Sequence, residues 1–174
     1  MSVNKYQPHI LVLPEDRANS EMAIGFLLNS KLNERSIQVL PFVRGWKTVV
    51  EKFTDDFVPT MRKYPDRIIV LLIDFDESEK RFDYVEEKIP EDLRNRVFVL
   101  GVLSEPEKLK RSLKKNFEEI GEALSSNCSD NTDILWQHDL LKHNKIELER
   151  MASSVKPFLF SKEEFAQRGD TLLV

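Results

Sequence analysis

The stretch Arg67-Ile-Ile-Val-Leu-Leu-Ile73-Asp74-Phe75-Asp76 decides the fold. Residues 68–73 are apolar without a break and rich in β-branched side chains, the pattern of a strand buried on both faces. A parallel sheet covered by helices gives a strand that environment. Three other runs share the character: residues 9–13 (His-Ile-Leu-Val-Leu), 37–42 and 96–102. Helical patterns lie between them. Residues 19–32 carry Met22, Ile24, Phe26, Leu27 and Leu28 on a broad apolar stripe. Residues 45–57 carry Trp46, Val49, Val50, Phe53 and Phe57 at helical spacing. Residues 80–88 form a short charged helix with Phe82 and Val85 as its packing face, and Pro90 blocks its extension. The order βαβαβαβ predicts an α/β fold: a four-stranded parallel sheet, Rossmann-like, flanked by helices and joined by right-handed crossovers.

The last third changes character. From Pro106 to about Val155 the pattern is helical. Residues 107–115 and 117–124 read as one stretch broken near Asn116. Residues 125–131 read as a polar loop, and 133–143 and 146–155 as a helical pair. Residues 157–160 (Pro-Phe-Leu-Phe) suit a fifth strand or a docking segment. Ser161 to Glu164 matches a capping box, and the end Thr171-Leu172-Leu173-Val174 is apolar. The expected organisation is an α/β domain over residues 1–115 and an α-helical region packed on it over 116–174.

Composition narrows the function. The chain has 174 residues, 41% hydrophobic and 32% charged, which suits a globular domain and excludes a disordered one. A formal charge of −4 argues against coating nucleic acid by overall charge, while local basic patches stay open. A single cysteine, Cys128, excludes an internal disulfide and a cysteine-based zinc site, and a cytoplasmic setting is expected. Residues 1–8 lack the apolar core of a signal peptide, and no apolar run approaches the roughly 20 residues of a membrane span. With five glycines and none in a phosphate-cradling loop, P-loop and dinucleotide readings fall away.

In an open parallel sheet the site lies beyond the carboxyl ends of the strands. Strand one delivers Glu15 and Asp16 there, and strand three delivers Asp74, Asp76 and Glu77. In the order 2-1-3-4 these strands are neighbours about 5 Å apart, so the acids share one crevice. Carboxylates so close raise one another's pKa, and a divalent cation removes the penalty. Mg²⁺ takes such oxygen ligands and commonly bridges them to phosphate. The same acids also suit helix N-termini, a structural role that stays open here.

The segments Ile10-Leu-Val-Leu-Pro-Glu15 and Val70-Leu-Leu-Ile-Asp74-Phe-Asp76 together resemble the TOPRIM domain of topoisomerases, primases and OLD-type nucleases, over roughly residues 8–115. The resemblance implies Mg²⁺ or Mn²⁺ bound by Asp74 and Asp76, with Glu15 as ligand or general acid/base. It implies cleavage or transfer at nucleic-acid phosphodiesters. Glu105 and Glu107 stand where OLD-type nucleases carry a further acidic stretch, and would be accessory ligands. Asp16 and Glu77-Ser78-Glu79 replace glycines frequent in TOPRIM loops. A lesser resemblance is to receiver domains, through Glu15-Asp16, Asp74, Ser104 and Lys156-Pro157-Phe158, which would make the chain a phosphoacceptor. The long stretch before Lys156 and the second acid at Asp76 do not fit it.

Lys108, Lys110, Arg111, Lys114 and Lys115 form a basic helix face opposite Leu109 and Leu113, able to hold nucleic-acid phosphates or simply be solvated. Trp46 beside Arg44 and Lys47 is either a stacking aromatic or a core residue at a helix start. His138 and His143 are five apart and do not share a helix face, so they favour a polar interhelical contact over zinc. The contrasting functional class is a non-catalytic subunit that meets a protein partner through its helical third.

Overall fold

A computed structural model describes residues 2–160. The capping box at Ser161 and the apolar end at Thr171 lie outside the described residues. Four strands, β1 (His9–Pro14), β2 (Ile37–Val39), β3 (Arg67–Leu72) and β4 (Val97–Leu100), form one sheet in the order β2-β1-β3-β4. Every pairing is parallel, with Ile10 opposite Ile37 and Ile68, and Val70 opposite Phe98. The expected α/β architecture is therefore present, and the sheet has the order under which β1 and β3 are neighbours.

The sheet is apolar on both faces because two helical layers cover it. Leu11, Leu13, Ile69, Leu71, Val97 and Val99 face Val49, Val50, Phe53, Met61 and Val85. Those partners come from α2 (Trp46–Lys52), a π-helical turn (Phe53–Phe57), α3 (Val58–Lys63) and α4 (Glu79–Lys88). Ile10, Val12, Ile68, Val70 and Phe98 face Ala23 of α1 (Arg17–Phe26) and Val155 and Leu159 of α7 (Lys145–Leu159). The two-residue alternation along each strand makes this division.

Helix α5 (Pro106–Leu113) is followed by α6 (Phe117–Ser129), and Asn116 caps α6 by accepting the Glu119 N–H at 2.8 Å. Helices α1 and α6 touch through glycine: a Cβ on Gly25 would meet the Glu118 backbone, and one on Gly121 the Met22 backbone. α7 closes the β4 edge with side chains. Val99 N–H donates to Glu147 at 2.8 Å, Gly101 N–H to Asn144 Oδ1 at 3.0 Å, and Arg150 donates to the Val97 carbonyl at 2.8 Å. These bonds occupy an edge that would otherwise invite another strand.

Several elements differ from the pattern reading. α1 ends at Phe26, not near Leu32, because Asn29 accepts the Lys31 N–H and starts a turn. Residues 125–129 continue α6 instead of forming a loop. Residues 133–141 are turns, not helix: the His138 ring takes the Leu140 N–H at 3.1 Å, two residues along. Only Lys142–Asn144 is helical there, as one 3₁₀ turn. Residues 157–160 are neither a strand nor a separate segment. Pro157, Phe158 and Leu159 complete α7, and Phe160 is its C-cap.

Candidate functional site

The crevice begins where the β1–β3 ladder runs past the strands. Glu15 N–H donates to the Leu72 carbonyl at 2.9 Å, continuing the ladder. Beyond β3, the N–H groups of Ile73, Phe75 and Glu77 go to Leu100, Val102 and Leu103 on the β4 side. Alternation then turns the Asp74 N–H toward β1, where it donates to Glu15 Oε2 at 2.7 Å. On the other side, Gly101 lets the chain after β4 approach Ile73 closely, since a Cβ there would meet the Ile73 carbonyl.

Asp16 caps α1 by accepting the Asn19 N–H at 2.9 Å. Asn19 lies one turn into the helix and is completely buried. Its Nδ2 donates to Asp16 Oδ1 at 3.0 Å and to Asp74 Oδ1 at 2.9 Å, so one amide holds two carboxylates. Its buried Oδ1 has no partner among the described residues. An unmet buried acceptor costs about 1–3 kcal/mol. Asp74 is pushed up to about 7, chiefly by burial and then by the charges of Asp16 and Glu15, against the Asn19 hydrogen bond. Burial also raises Glu15, opposed by the Asp74 N–H and the Arg81 charge.

The structure brings Glu15, Asp16 and Asp74 together but divides Asp74 from Asp76. Asp74 reaches Asn19, whereas Asp76, at φ +49°, reaches Arg81 Nη2 at 3.2 Å. Glu77 is also left-handed, at φ +54°. Glu105 is the N-cap of α5 and Glu107 lies in its first turn, both exposed, where they complement the helix N-terminus. Lys108, Lys110, Arg111, Lys114 and Lys115 are all exposed on and just after α5. Lys110, Arg111, Lys114 and Lys115 line one shallow recess with Glu107.

Among the described residues, no three acidic, histidine or cysteine side chains form a ready cage for a metal. The donor set nevertheless suits a hard cation. Mg²⁺ uses one or two carboxylates and keeps its waters. Asp16 and Asp74 offer two oxygens on one amide, and neither carboxylate has an ion-pair partner among the described residues.

Asn19 and Arg81 are the participants that motif matching passes over, and Asp16, placed in the crevice by the sequence, was not among the expected metal ligands. The signal for Asn19 is a polar residue three after an N-capping aspartate on a helix that buries its neighbours. Arg81 had no comparable signal, because it is one of many charged residues on a short helix whose packing face is Phe82 and Val85. The remaining candidates lie apart. His138 accepts from Leu140 N–H at Nδ1, which leaves Nε2 to donate to Ser112 at 2.9 Å. His143 packs edge-on against Phe75, and Asp139 pairs with Lys142. Lys156 bonds to Asn131 from within α7. Cys128 sits in α6, where burial raises its thiol pKa. Trp46 packs against the core as well as under Arg81. A larger cavity of about 650 Å³, lined by Val12, Val70, Leu100, Trp136 and Met151 among others, contains none of the crevice acids.

No protein-family model, curated protein or solved structure matches this chain. Among the described residues, no helix is long and apolar enough to cross a membrane.

Proposed function

We infer that the crevice binds Mg²⁺ or Mn²⁺ and that the protein cleaves or transfers nucleic-acid phosphodiesters. The observation that carries this reading is the Asp16–Asn19–Asp74 bridge: two carboxylates on one amide, without a protein cation on either. Asp16 and Asp74 would hold the ion, with Glu15 behind them and Asp76 at the mouth. A divalent cation there supplies neutralisation of phosphate charge and a more acidic bound water. Glu15, raised by burial and fixed by the Asp74 N–H, is placed to hold or accept a proton beside the ion. The α5 cations Lys108, Lys110, Arg111, Lys114 and Lys115 support a polyanionic substrate, because none has an ion-pair partner among the described residues.

The test is cleavage of single- and double-stranded DNA and RNA in Mg²⁺, in Mn²⁺ and in EDTA. The expected result is metal-dependent cleavage that disappears in Asp74→Asn. Absence of cleavage on all four substrates in either metal contradicts the reading. A protein-binding subunit is the second reading. It rests on Ile134 and Ile146, which are 79% and 75% exposed in the C-terminal third. Single exposed apolar residues are ordinary on soluble surfaces, so they weigh less than the carboxylate bridge.

A further inference from the structure

We propose that Arg81 is the phosphate-binding residue of the crevice and that Asp76 holds it in reserve until an anion arrives. The proposal rests on the phosphodiester reading above and names the residue by which that site recognises its substrate.

Four acids would repel a phosphate, so the crevice needs a cation of its own. Arg81 is the basic side chain bonded there. Its Nη1 donates to the Asp74 carbonyl at 2.8 Å and its Nη2 to Asp76 Oδ2 at 3.2 Å. Its guanidinium lies over the Trp46 ring at 5.2 Å, which restricts the plane of the fork. The two bonds use two of five N–H donors. The rest have no acceptor among the described residues, and a planar guanidinium with free donors matches phosphate in bidentate fashion.

The partner is the weak element. Asp76 is 64% exposed, whereas Arg81 is 22% exposed. An ion pair with so exposed a carboxylate contributes little to the fold. Yet Asp76 and Glu77 both adopt left-handed backbone to present it, and such conformations in non-glycine residues collect at functional sites. Asp76 therefore orients the guanidinium at the mouth without holding it strongly. A phosphate oxygen can take the Nη2 donor from Asp76 while Nη1 stays on the Asp74 carbonyl. The alternative is a purely structural clamp on the turn after β3.

The two roles make opposite predictions for Asp76. The experiment is fluorescence anisotropy of a labelled ten-nucleotide oligo-dT in EDTA, with the full chain, for wild type, Arg81→Gln, Arg81→Lys and Asp76→Asn. Phosphate recognition predicts about tenfold weaker binding for Arg81→Gln. It predicts an intermediate loss for Arg81→Lys and several-fold tighter binding for Asp76→Asn. A structural clamp predicts that Asp76→Asn and Arg81→Gln weaken binding together, and that result overturns the proposal. So does wild-type affinity in Arg81→Gln. If Arg81→Gln fails to fold, Asp76→Asn decides alone: tighter binding supports the proposal, and unchanged or weaker binding overturns it. Metal titration of the same variants separates the two claims. Arg81-dependent oligonucleotide binding in a protein that binds no metal defeats the catalytic reading and leaves this one standing.

Discussion

Two buried carboxylate sites sit at opposite sides of β3 and are built from the same contact. At the β4 edge, Glu147 accepts the Val99 N–H at 2.8 Å; in the crevice, Glu15 accepts the Asp74 N–H at 2.7 Å. From there they diverge. Glu147 is also gripped by Arg150, at 3.0 and 3.1 Å, so its charge is answered by an adjacent cation. In the crevice, the nearby arginine donates to the Asp74 main chain and to Asp76, and leaves the Asp16 and Asp74 carboxyls to each other and to a neutral amide. A carboxylate that serves the fold is neutralised within the fold. The crevice acids are held in place but left short of positive charge, and that is the condition of a site that takes a cation from solution.

The largest effect expected from this contrast lies at the β4 edge. Arg150→Met removes the cation from Glu147, whose side chain is 7% exposed against 36% for Arg150, and should cost about 2 kcal/mol, as for a buried acceptor that loses a charged hydrogen-bond partner. Urea denaturation measures it. A loss below about 0.5 kcal/mol, within the range of ordinary surface substitutions, would mean that Glu147 is not the structural charge described here.

Asp74→Asn should act in the opposite direction. The folded-state pKa of Asp74, about 7, lies above the ordinary carboxylate value. Its contribution to stability is therefore complete at low pH. As pH rises, the unfolded chain ionises first, and stability falls until the folded carboxyl has also ionised near pH 7. At pH 8 without divalent cations, the asparagine variant should melt a few degrees above wild type, equivalent to about 1 kcal/mol. Below pH 4 the two should nearly coincide. A variant less stable than wild type at pH 8 would show that Asp74 serves the fold as Glu147 does.

The smallest effect is expected for Asp16→Asn. Asparagine caps helices as well as aspartate, so α1 keeps its N-terminus. Loss of the Asp16 charge should lower the Asp74 pKa from about 7 toward the usual carboxylate range. Titration of the Asp74 carboxyl by NMR reads the change. An unmoved Asp74 would mean that burial and Glu15, not Asp16, set its value.

The contrast between the two sites also shows what the sequence discloses. The sheet was legible because residues 68–73 are apolar without interruption and three similar runs surround them. The meeting of Glu15 and Asp74 was conditional on the order 2-1-3-4, which the apolar runs do not fix and the sheet adopts. The true pairing within the crevice was not legible. The spacing of Asp74 and Asp76 suggests a matched pair, but the left-handed turn at Asp76 sends them to different partners, and Asp16 takes the place beside Asp74. The β4 edge was hidden for another reason. Asn144, at the N-cap of α7, and Glu147 and Arg150 within it lie three apart in a polar stretch, and nothing in the sequence sets them apart. Only the tertiary fold reveals that they replace a missing strand. Residues 133–143 misled because Leu135, Trp136, Leu140 and Leu141 have helical spacing. The side-chain bond from His138 to the Leu140 N–H, which pattern alone does not register, replaces the helical one.

The most direct test of the crevice as a cation site is calorimetric titration of Mn²⁺ at pH 7.5, with wild type and with the double variant Asp16→Asn, Asp74→Asn. Buffers of different ionisation enthalpy would report proton release. The account predicts binding by wild type with release of a fraction of a proton, since Asp74 is still partly protonated at that pH, and loss of binding in the double variant. Folded wild type that binds no Mn²⁺, or a double variant that binds it equally well, would contradict the account.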